Sequence, residues 1–232
     1  MSTVLVIPDL HVPFQHKDSY EFLELVNATF KPDEIVSVGD IVDAHANSRY
    51  EHDPDGMSPG EEVEASALGL DELEDLFPNM KICIGNHDNR ILKAAYKAGI
   101  PKAAMKSLEE IYGMPSGWTM ADHFMVDNVI YEHGDRFGAG AMSHVKAMKS
   151  NMRSTVIGHT HITFGVEFAA NRDNLLFAAN AGCLVDTEAY AMAYGKAYAG
   201  KPILGCLVIR NGLIVIPVPM LMDNRSNWIG EI

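Results

Sequence analysis

The sequence predicts an α/β fold with two mostly internal β-sheets and helices on the outside. In the first half, short apolar runs rich in β-branched residues alternate with amphipathic segments at helical spacing, which is typical of βαβ units. From residue 162 onward, apolar runs are separated by turn residues, which indicates antiparallel strands. No linker-like composition, charge block or long repeat divides the 232 residues, so we predict a single domain over 1–232.

The first half opens with a buried strand, "TVLVIPD", and continues with a helix from Asp18 to Phe30 that Pro32 ends. A second strand, "EIVSVGD", leads into an amphipathic helix over 63–77, and a third strand, "KICIGNHD", follows it. Helical spacing returns over 90–98 and 102–112. We then expect a strand over 124–132, a helix over 141–152 and the short strand "STVIG".

The second half predicts three further stretches of strand: "ITFGVEF", "NLLFAAN" and "GCLVIRNGLIVIPV". In the last of these, Asn211 and Gly212 lie between two apolar runs. An Asn-Gly pair favours the left-handed backbone of a tight hairpin, so this stretch predicts two antiparallel strands.

The charge of the chain limits its partners. It has 31 acidic and 18 basic residues, for a formal net charge of −13. Binding to nucleic-acid phosphates usually requires a basic face, so extended nucleic acid is not favoured as a partner, although it is not excluded.

The three cysteines, Cys83, Cys183 and Cys206, lie in separate apolar stretches without the CxxC spacing of a zinc or redox site. Buried thiols in a reducing cytoplasm are therefore the expectation. No signal peptide is recognisable, and no apolar run approaches the ~18 residues of a membrane span, so no membrane association is predicted.

Polar side chains follow five of the predicted strands, each at the point where the strand ends. They are Asp9 and His11, then Asp40, then Asn86, then His133, and finally His159 with His161. Ligands in open α/β sheets bind beyond the carboxyl ends of the strands, so we expect these side chains to converge. A histidine-rich polar loop is the alternative for the last pair alone.

The donor types restrict what such a site holds. Aspartate, histidine and asparagine supply oxygen and nitrogen but no thiolate, which suits Mn²⁺, Fe, Zn²⁺ or Ni²⁺. Seven donors exceed the needs of one tetrahedral ion. They match two ions that share a carboxylate and lie about 3.5–4 Å apart.

The motifs DxH, GDxxD, GNHD, a histidine before glycine, and GHTH occur in this order over residues 9–161. The series resembles the calcineurin-like metallophosphoesterases. This resemblance implies a four-layer α/β/β/α sandwich, with two mixed sheets flanked by helices, and two divalent cations, of which Mn²⁺ is the first choice. It also implies the ligand sets: Asp9, His11 and His161 for the first ion, Asn86, His133 and His159 for the second, and Asp40 between them.

The resemblance further implies that a hydroxide held between the ions attacks phosphorus and that His87 protonates the leaving oxygen. We expect the neighbouring Asp88 to orient His87 and raise its pKa. The alternative for His87 is a structural histidine bonded to a carbonyl.

Arg90 completes "GNHDNR", which resembles the "GNHExR" pattern of the protein-phosphatase branch, where the arginine grips phosphate. The alternative is an exposed residue on a helix. That branch has a second arginine in "GDxVDRG", where this chain has Ala44, so protein phosphatase activity is in doubt. His45 and Arg49 are candidates to replace it, and Asp43 is expected to hold a ligand or loop in place.

The leading interpretation is a metal-dependent phosphoesterase acting on a phosphomonoester or small nucleotide. A phosphodiesterase or nuclease with the same metal centre is one alternative, and a non-catalytic metal-binding scaffold is another. A nuclease calls for a basic groove or stacking aromatics near the site, for which Tyr50, Tyr96 and Trp118 are candidates. The segment 91–118 is either a lid over the cleft or packed helix.

Overall fold

The computed structural model describes residues 1–49, 53, 55–191 and 200–232. Within this part of the chain, eleven strands form two sheets. The strands are β1 (Thr3–Ile7), β2 (Glu34–Ser37), β3 (Met80–Cys83), β4 (Trp118–Ala121), β5 (His123–Val126), β6 (Val129–Glu132), β7 (Thr155–Ile157), β8 (Phe164–Ala170), β9 (Leu175–Ala181), β10 (Gly205–Arg210) and β11 (Ile214–Pro219). The α-helices are α1 (Ser19–Phe30), α2 (Pro59–Leu76), α3 (Arg90–Lys97), α4 (Leu108–Tyr112) and α5 (Ser143–Asn151).

The first sheet has the order β11-β10-β1-β2-β3-β4. Its strands β1, β2 and β3 run parallel, as expected from the βαβ pattern, and β4, which was not predicted, runs parallel to β3. β10 pairs antiparallel with β1, and β11 pairs antiparallel with β10. The turn of this terminal hairpin is the predicted Asn211-Gly212 pair, both with positive φ. The end of the chain therefore extends the sheet that its beginning starts.

The second sheet has the order β5-β6-β7-β9-β8. β7 pairs parallel with both β6 and β9, whereas the outer strands β5 and β8 pair antiparallel. After residue 162, β8 pairs antiparallel with β9 and β10 pairs antiparallel with β11, as predicted, while β9 also pairs parallel with β7 of the first half. A strand's partners depend on the path of the chain between strands, which the apolar pattern does not encode.

The two sheets pack face to face. In β1, Val4 and Val6 point into the core between the sheets, while Leu5 and Ile7 point to the core under the helices. This alternation follows from the two-residue period of a strand. α1, α2 and α4 cover the outer face of the first sheet, and α5 covers the second. The result is the predicted four-layer α/β/β/α sandwich.

Three predicted elements differ in detail. The helix expected over 102–112 is reduced to α4, which begins at Leu108 after a capping box formed by Ser107 and Glu110. The strand expected over 124–132 is a hairpin, β5 and β6, because Asp127 and Asn128 both adopt positive φ and turn the chain. α2 begins at Pro59, before the predicted residue 63, because Ser58 and Glu61 form a capping box ahead of it.

The segment 91–118, predicted as either a lid or packed helix, differs between its two parts. Its later part is packed: Leu108, Tyr112 and Trp118 belong to the core, and the Trp118 indole donates to the carbonyl of Phe77. Its earlier part, α3, has no buried residue. None of the described helices has the length and apolar character needed to cross a membrane.

Candidate metal centre

The ends of five parallel strands bring the predicted ligands together. β1, β2 and β3 are neighbours in the first sheet, and β6 and β7 are neighbours in the second. The loops after these strands carry all seven predicted ligands. Six of them belong to three groups in which the donor atoms lie within 4.8 Å of one another, and the seventh, Asn86, contacts His133 of one group. The groups are Asp9, His11 and His161; His11, Asp40 and His87; and Asp40, His133 and His159.

The first group surrounds the carboxylate of Asp9. The Nε2 atom of His161 lies 3.1 Å from Asp9 Oδ2 and 3.3 Å from the Nε2 atom of His11. The backbone N–H of His159 donates to the same Oδ2 at 2.9 Å. Two imidazole nitrogens thus face each other beside a carboxylate that is fully buried.

The second group surrounds His133. Its Nε2 atom lies 3.1 Å from Asp40 Oδ2 and 3.1 Å from the side-chain oxygen of Asn86. The ring of His159 stands edge-on to that of His133, with 5.1 Å between ring centroids. Asn86 thus joins this group through its oxygen, the atom that binds metal ions.

Asp40 lies between the two groups. Its Oδ2 is 3.1 Å from His133 Nε2 and 3.8 Å from His11 Nε2, while its Oδ1 accepts the backbone N–H of His87 at 2.7 Å. Burial alone would raise the pKa of Asp40, but the charge and hydrogen bond of His133 hold it well below its usual value. Burial would lower the pKa of His133, whereas Asp40 and Asp9 raise it to about 10. The site therefore favours positive charge at this position.

Two of the imidazoles are held with Nε2 directed to the centre. The Nδ1–H of His133 donates to the carbonyl of Val38 at 3.1 Å. The Nδ1 of His11 lies 3.3 Å from a carboxylate oxygen of Asp43. Partners of this kind on the outer nitrogen fix the tautomer that leaves Nε2 free to bind a metal ion.

The backbone is strained at the same place. His11, Asp40 and His159 have φ values of 55°, 47° and 64°, in the left-handed region that costs energy for any residue with a Cβ. Such conformations persist where the surrounding structure enforces them, and they cluster at functional sites.

The site also leaves room for ligand oxygens. A Cβ at Gly85 would lie 2.1 Å from Asp40 Oδ1, and one at Gly158 would lie 2.1 Å from Asp9 Oδ1. That Asp9 oxygen is buried without a hydrogen-bond partner in the described structure, a costly condition for a carboxylate. A divalent cation would satisfy it, so the residues present fit the two ions that the resemblance implies.

Asp43 holds His87 and His11 at once. Its Oδ1 lies 3.0 Å from His87 Nδ1, and its Oδ2 contacts His11. Arg90 donates to Asp43 Oδ1 at 2.7 Å, and its other terminal nitrogen lies 2.9 Å from His87 Nε2. Burial would raise the pKa of Asp43, but the hydrogen bonds from both histidines hold it below its usual value. The expectation that Asp43 holds a ligand agrees with this geometry.

Asp88 has a different partner from the predicted one. Its carboxylate accepts the backbone N–H groups of Gly85, Asp40 and Val42 at 2.7 to 3.1 Å. The carboxylate at His87 is instead that of Asp43, because the side chain of Asp88 turns under the loop after β2. Burial and the charge of Asp40 raise the pKa of Asp88.

The loop after Asp43 is held by a residue that the sequence interpretation missed. Glu62 of α2 is buried and accepts the backbone N–H groups of His45 and Ala46 at 2.6 and 2.7 Å. Ala44, where the protein-phosphatase branch has arginine, adopts φ 52° and is buried. The predicted helix began at residue 63 and left Glu62 outside it, so no sequence pattern pointed to this role.

The site opens into a cleft of about 2050 Å³. Asp40, Asn86 and His87 lie on its wall with both histidines of "GHTH", His159 and His161. Typical pockets for small molecules occupy about 300–1,000 Å³, so this cleft has space well beyond one phosphate.

The three aromatic residues considered for base stacking have different positions. Tyr96 lines the cleft, whereas Trp118 is buried in the core under the helices and does not reach it. Tyr50 lies outside the described residues. Of these three, Tyr96 is therefore the one that the structure places in the cleft.

The calcineurin-like phosphoesterase family model matches residues 2–180. The chain belongs to this family. The match ends within β9, and β10 and β11 lie beyond it. Membership confirms the resemblance seen in the five motifs and agrees with the two-sheet architecture.

Several solved structures are similar to this one. A metallophosphoesterase from Sphaerobacter thermophilus is 16% identical, with a TM-score of 0.46 over 94% of this chain and 87% of the other. Yfce, a phosphoesterase from E. coli, is 14% identical, with a TM-score of 0.44 over 98% and 96%. A single mutant of Vps29 from Entamoeba histolytica is 14% identical, with a TM-score of 0.44 over 90% and 85%. Among curated proteins, no significant match is found.

Proposed function

We propose that the protein is a phosphoesterase that uses two divalent cations, with Mn²⁺ as the first choice. Asp9, His11 and His161 would hold one cation, Asn86, His133 and His159 would hold the other, and Asp40 would serve both. The observation that carries this proposal is the position of Asp40 Oδ2 between His11 and His133, with both imidazoles held by outer partners.

Divalent cations bound there supply Lewis-acid catalysis, which lowers the pKa of water and neutralises charge on phosphoryl oxygens. The residues of the chain position the reacting groups and exclude bulk water. Asp43 orients His11 and His87 together, Asp88 fixes the backbone that presents Asp40, and burial keeps bulk water away from these groups.

His87 is the proposed proton donor to the leaving oxygen. In the structure its Nε2 accepts from Arg90, so this nitrogen carries no proton while that contact lasts. A substrate phosphate offers Arg90 better acceptors. Arg90 then turns to the phosphate, and Nε2 of His87 takes up a proton from solvent and passes it to the leaving oxygen.

The proposal covers phosphomonoesters, nucleotides and phosphodiesters, since the same centre serves them all.

We also propose that 1–232 is one domain, because β10 and β11 complete the sheet that β1 begins. All three cysteines are buried free thiols, which supports a reducing compartment such as the cytoplasm.

The test is hydrolysis of p-nitrophenyl phosphate and bis-p-nitrophenyl phosphate by protein that is first chelated and then given Mn²⁺. We expect turnover that requires the metal and is lost in Asp40→Asn. Asp33→Asn is the matched control, because Asp33 accepts the N–H of Thr3 at the opposite end of β1. It makes the same chemical change far from the centre.

The preferred ester separates a phosphatase from a phosphodiesterase. Turnover that survives in Asp40→Asn would contradict the shared carboxylate. Absence of turnover of both esters, together with Mn²⁺-induced thermal stabilisation, would favour a non-catalytic metal-binding scaffold.

A further inference from the structure

We infer that the cleft binds a single-stranded polynucleotide, with Lys93 and Lys97 of α3 holding phosphates beside the one at the metal centre and Tyr96 stacking on a base. This inference rests on the proposed phosphoesterase function and names its substrate class. Hydrolysis of such a diester adds one water and breaks one P–O bond, which leaves a terminal phosphate and a free hydroxyl.

The first observation is the distribution of charge. Acidic residues outnumber basic ones by 31 to 18 in the whole chain, but seven basic and five acidic residues line the described cleft. One of those five is Asp40, a proposed metal ligand. Bound cations would shift the balance further toward positive charge, so the cleft attracts anions although the protein as a whole repels them.

The second observation is the stripe on α3. This helix begins at Arg90, which contacts His87. The stripe consists of Arg90, Lys93 and Lys97, which share one face of the helix because they follow one another at intervals of three and four residues. All three line the cleft. From Arg90 to Lys97 the stripe extends for about 10 Å, leading away from the candidate centre. This length matches the span of several phosphates along a strand.

The lysines of this stripe have no acidic partner among the described residues. No carboxylate there lies within ion-pair distance of Lys93 or Lys97, and both side chains are exposed. Unpaired cations that point into a cleft of an acidic protein are suited to bind phosphates. A single phosphate would occupy only the end of the helix nearest Arg90.

The third observation favours single strands. Tyr96 lies between the two lysines in sequence, lines the cleft and is 50% exposed. A positive groove combined with exposed aromatic side chains is the usual arrangement for binding single strands. The reacting phosphate must also reach Asp40, which lines the cleft and is 1% exposed. A duplex, which is stiff over about 150 base pairs, bends into such a recess less readily.

The test measures binding by fluorescence anisotropy, with chelated protein and a labelled oligothymidylate of about ten nucleotides. Lys93→Gln/Lys97→Gln removes the stripe. Lys146→Gln/Lys149→Gln is the control, since these exposed lysines lie on α5, outside the cleft, and Lys149, like Lys97, is in the last turn of its helix.

In the stripe variant, we expect the slope of log Kd against log salt concentration to fall by about 1.4 and Kd to rise roughly 25-fold at 0.1 M salt. The control variant should stay near wild type in both quantities. Tyr96→Leu should raise Kd about 5-fold or more. Equal binding by wild type and the stripe variant would overturn the inference. Preference for duplex, or equally tight lysine-dependent binding of inorganic tripolyphosphate, would also overturn it.

Turnover of bis-p-nitrophenyl phosphate by wild type, measured in parallel, separates the two proposals. Turnover without lysine-dependent oligonucleotide binding refutes the polynucleotide inference and leaves the phosphoesterase function standing. Lysine-dependent binding without turnover of the oligonucleotide or the small ester supports the groove but refutes its role in catalysis.

Discussion

Substitution of Gly158 by alanine tests whether the space beside Asp9 is needed for metal binding. The new Cβ would lie 2.1 Å from Asp9 Oδ1 and 2.9 Å from Val38 Cγ2, whereas real Cβ contacts below 3.0 Å are essentially never seen. Asp9 must therefore move by about 0.9 Å. A displacement of about 1 Å at a catalytic group costs roughly 100-fold in rate, or about 2.7 kcal/mol.

The same displacement should weaken metal binding. If Kd for Mn²⁺ rises about 100-fold, then at a concentration of 100 times the wild-type Kd the stabilisation by the metal falls from about 2.7 to about 0.4 kcal/mol. We expect the added methyl group to cost about 1–3 kcal/mol of stability by itself. Thermal unfolding with and without Mn²⁺ measures both effects, and hydrolysis of the small esters measures the rate.

Gly140→Ala is the matched control, because a Cβ at Gly140 meets nothing within 4 Å and its φ lies outside the left-handed range. It should leave both the rate and the metal-induced shift unchanged. A Gly158→Ala variant that keeps kcat/KM within about threefold of wild type, with a normal shift from Mn²⁺, would refute the reasoning.

Three further predictions concern stability. Asp88→Asn should lower the free energy of unfolding by about 1–3 kcal/mol in urea titrations, because the amide cannot accept from all three backbone N–H groups. His144 is buried and its pKa is lowered, chiefly by burial, so the folded state resists its protonation; urea titrations should show stability falling as the pH drops below 6.5, and less so in His144→Gln. Met152→Gly should raise the melting temperature, with a gain of up to about 1 kcal/mol, because this exposed residue ends α5 with φ 52°.

Each of these has a control within the chain. Asp33→Asn removes an acceptor for one exposed N–H and should cost less than Asp88→Asn. Glu167→Gln removes the charge that raises the pKa of His144, so acid should destabilise this variant more steeply than wild type. Lys149→Gly, within α5, should be destabilising by about 1 kcal/mol, the opposite sign to Met152→Gly. A reversed order in any pair contradicts the corresponding argument.

The position of the site was predictable because it depends on a general property of parallel sheets. Asp9, Asp40 and Asn86 each follow a strand, and the strands lie side by side, so their loops meet without any further information. The partner of His87 was not predictable in this way. Asp88 is its neighbour in sequence, but it turns toward the backbone of Val42, and Asp43 reaches His87 from the loop of another strand.

Net charge is a coarse guide to partners for a similar reason. It sums over the whole surface, whereas a ligand responds to charges within about 10 Å at 0.1 M salt. Lys93 and Lys97 are ordinary exposed helix residues in the sequence, and only the fold shows that they face the cleft that leads to Asp40. An acidic exterior then acts together with a basic cleft, because it repels an anionic chain everywhere except where the cations are. If the inferred binding holds, the charge of −13 would help to direct a polynucleotide to the centre.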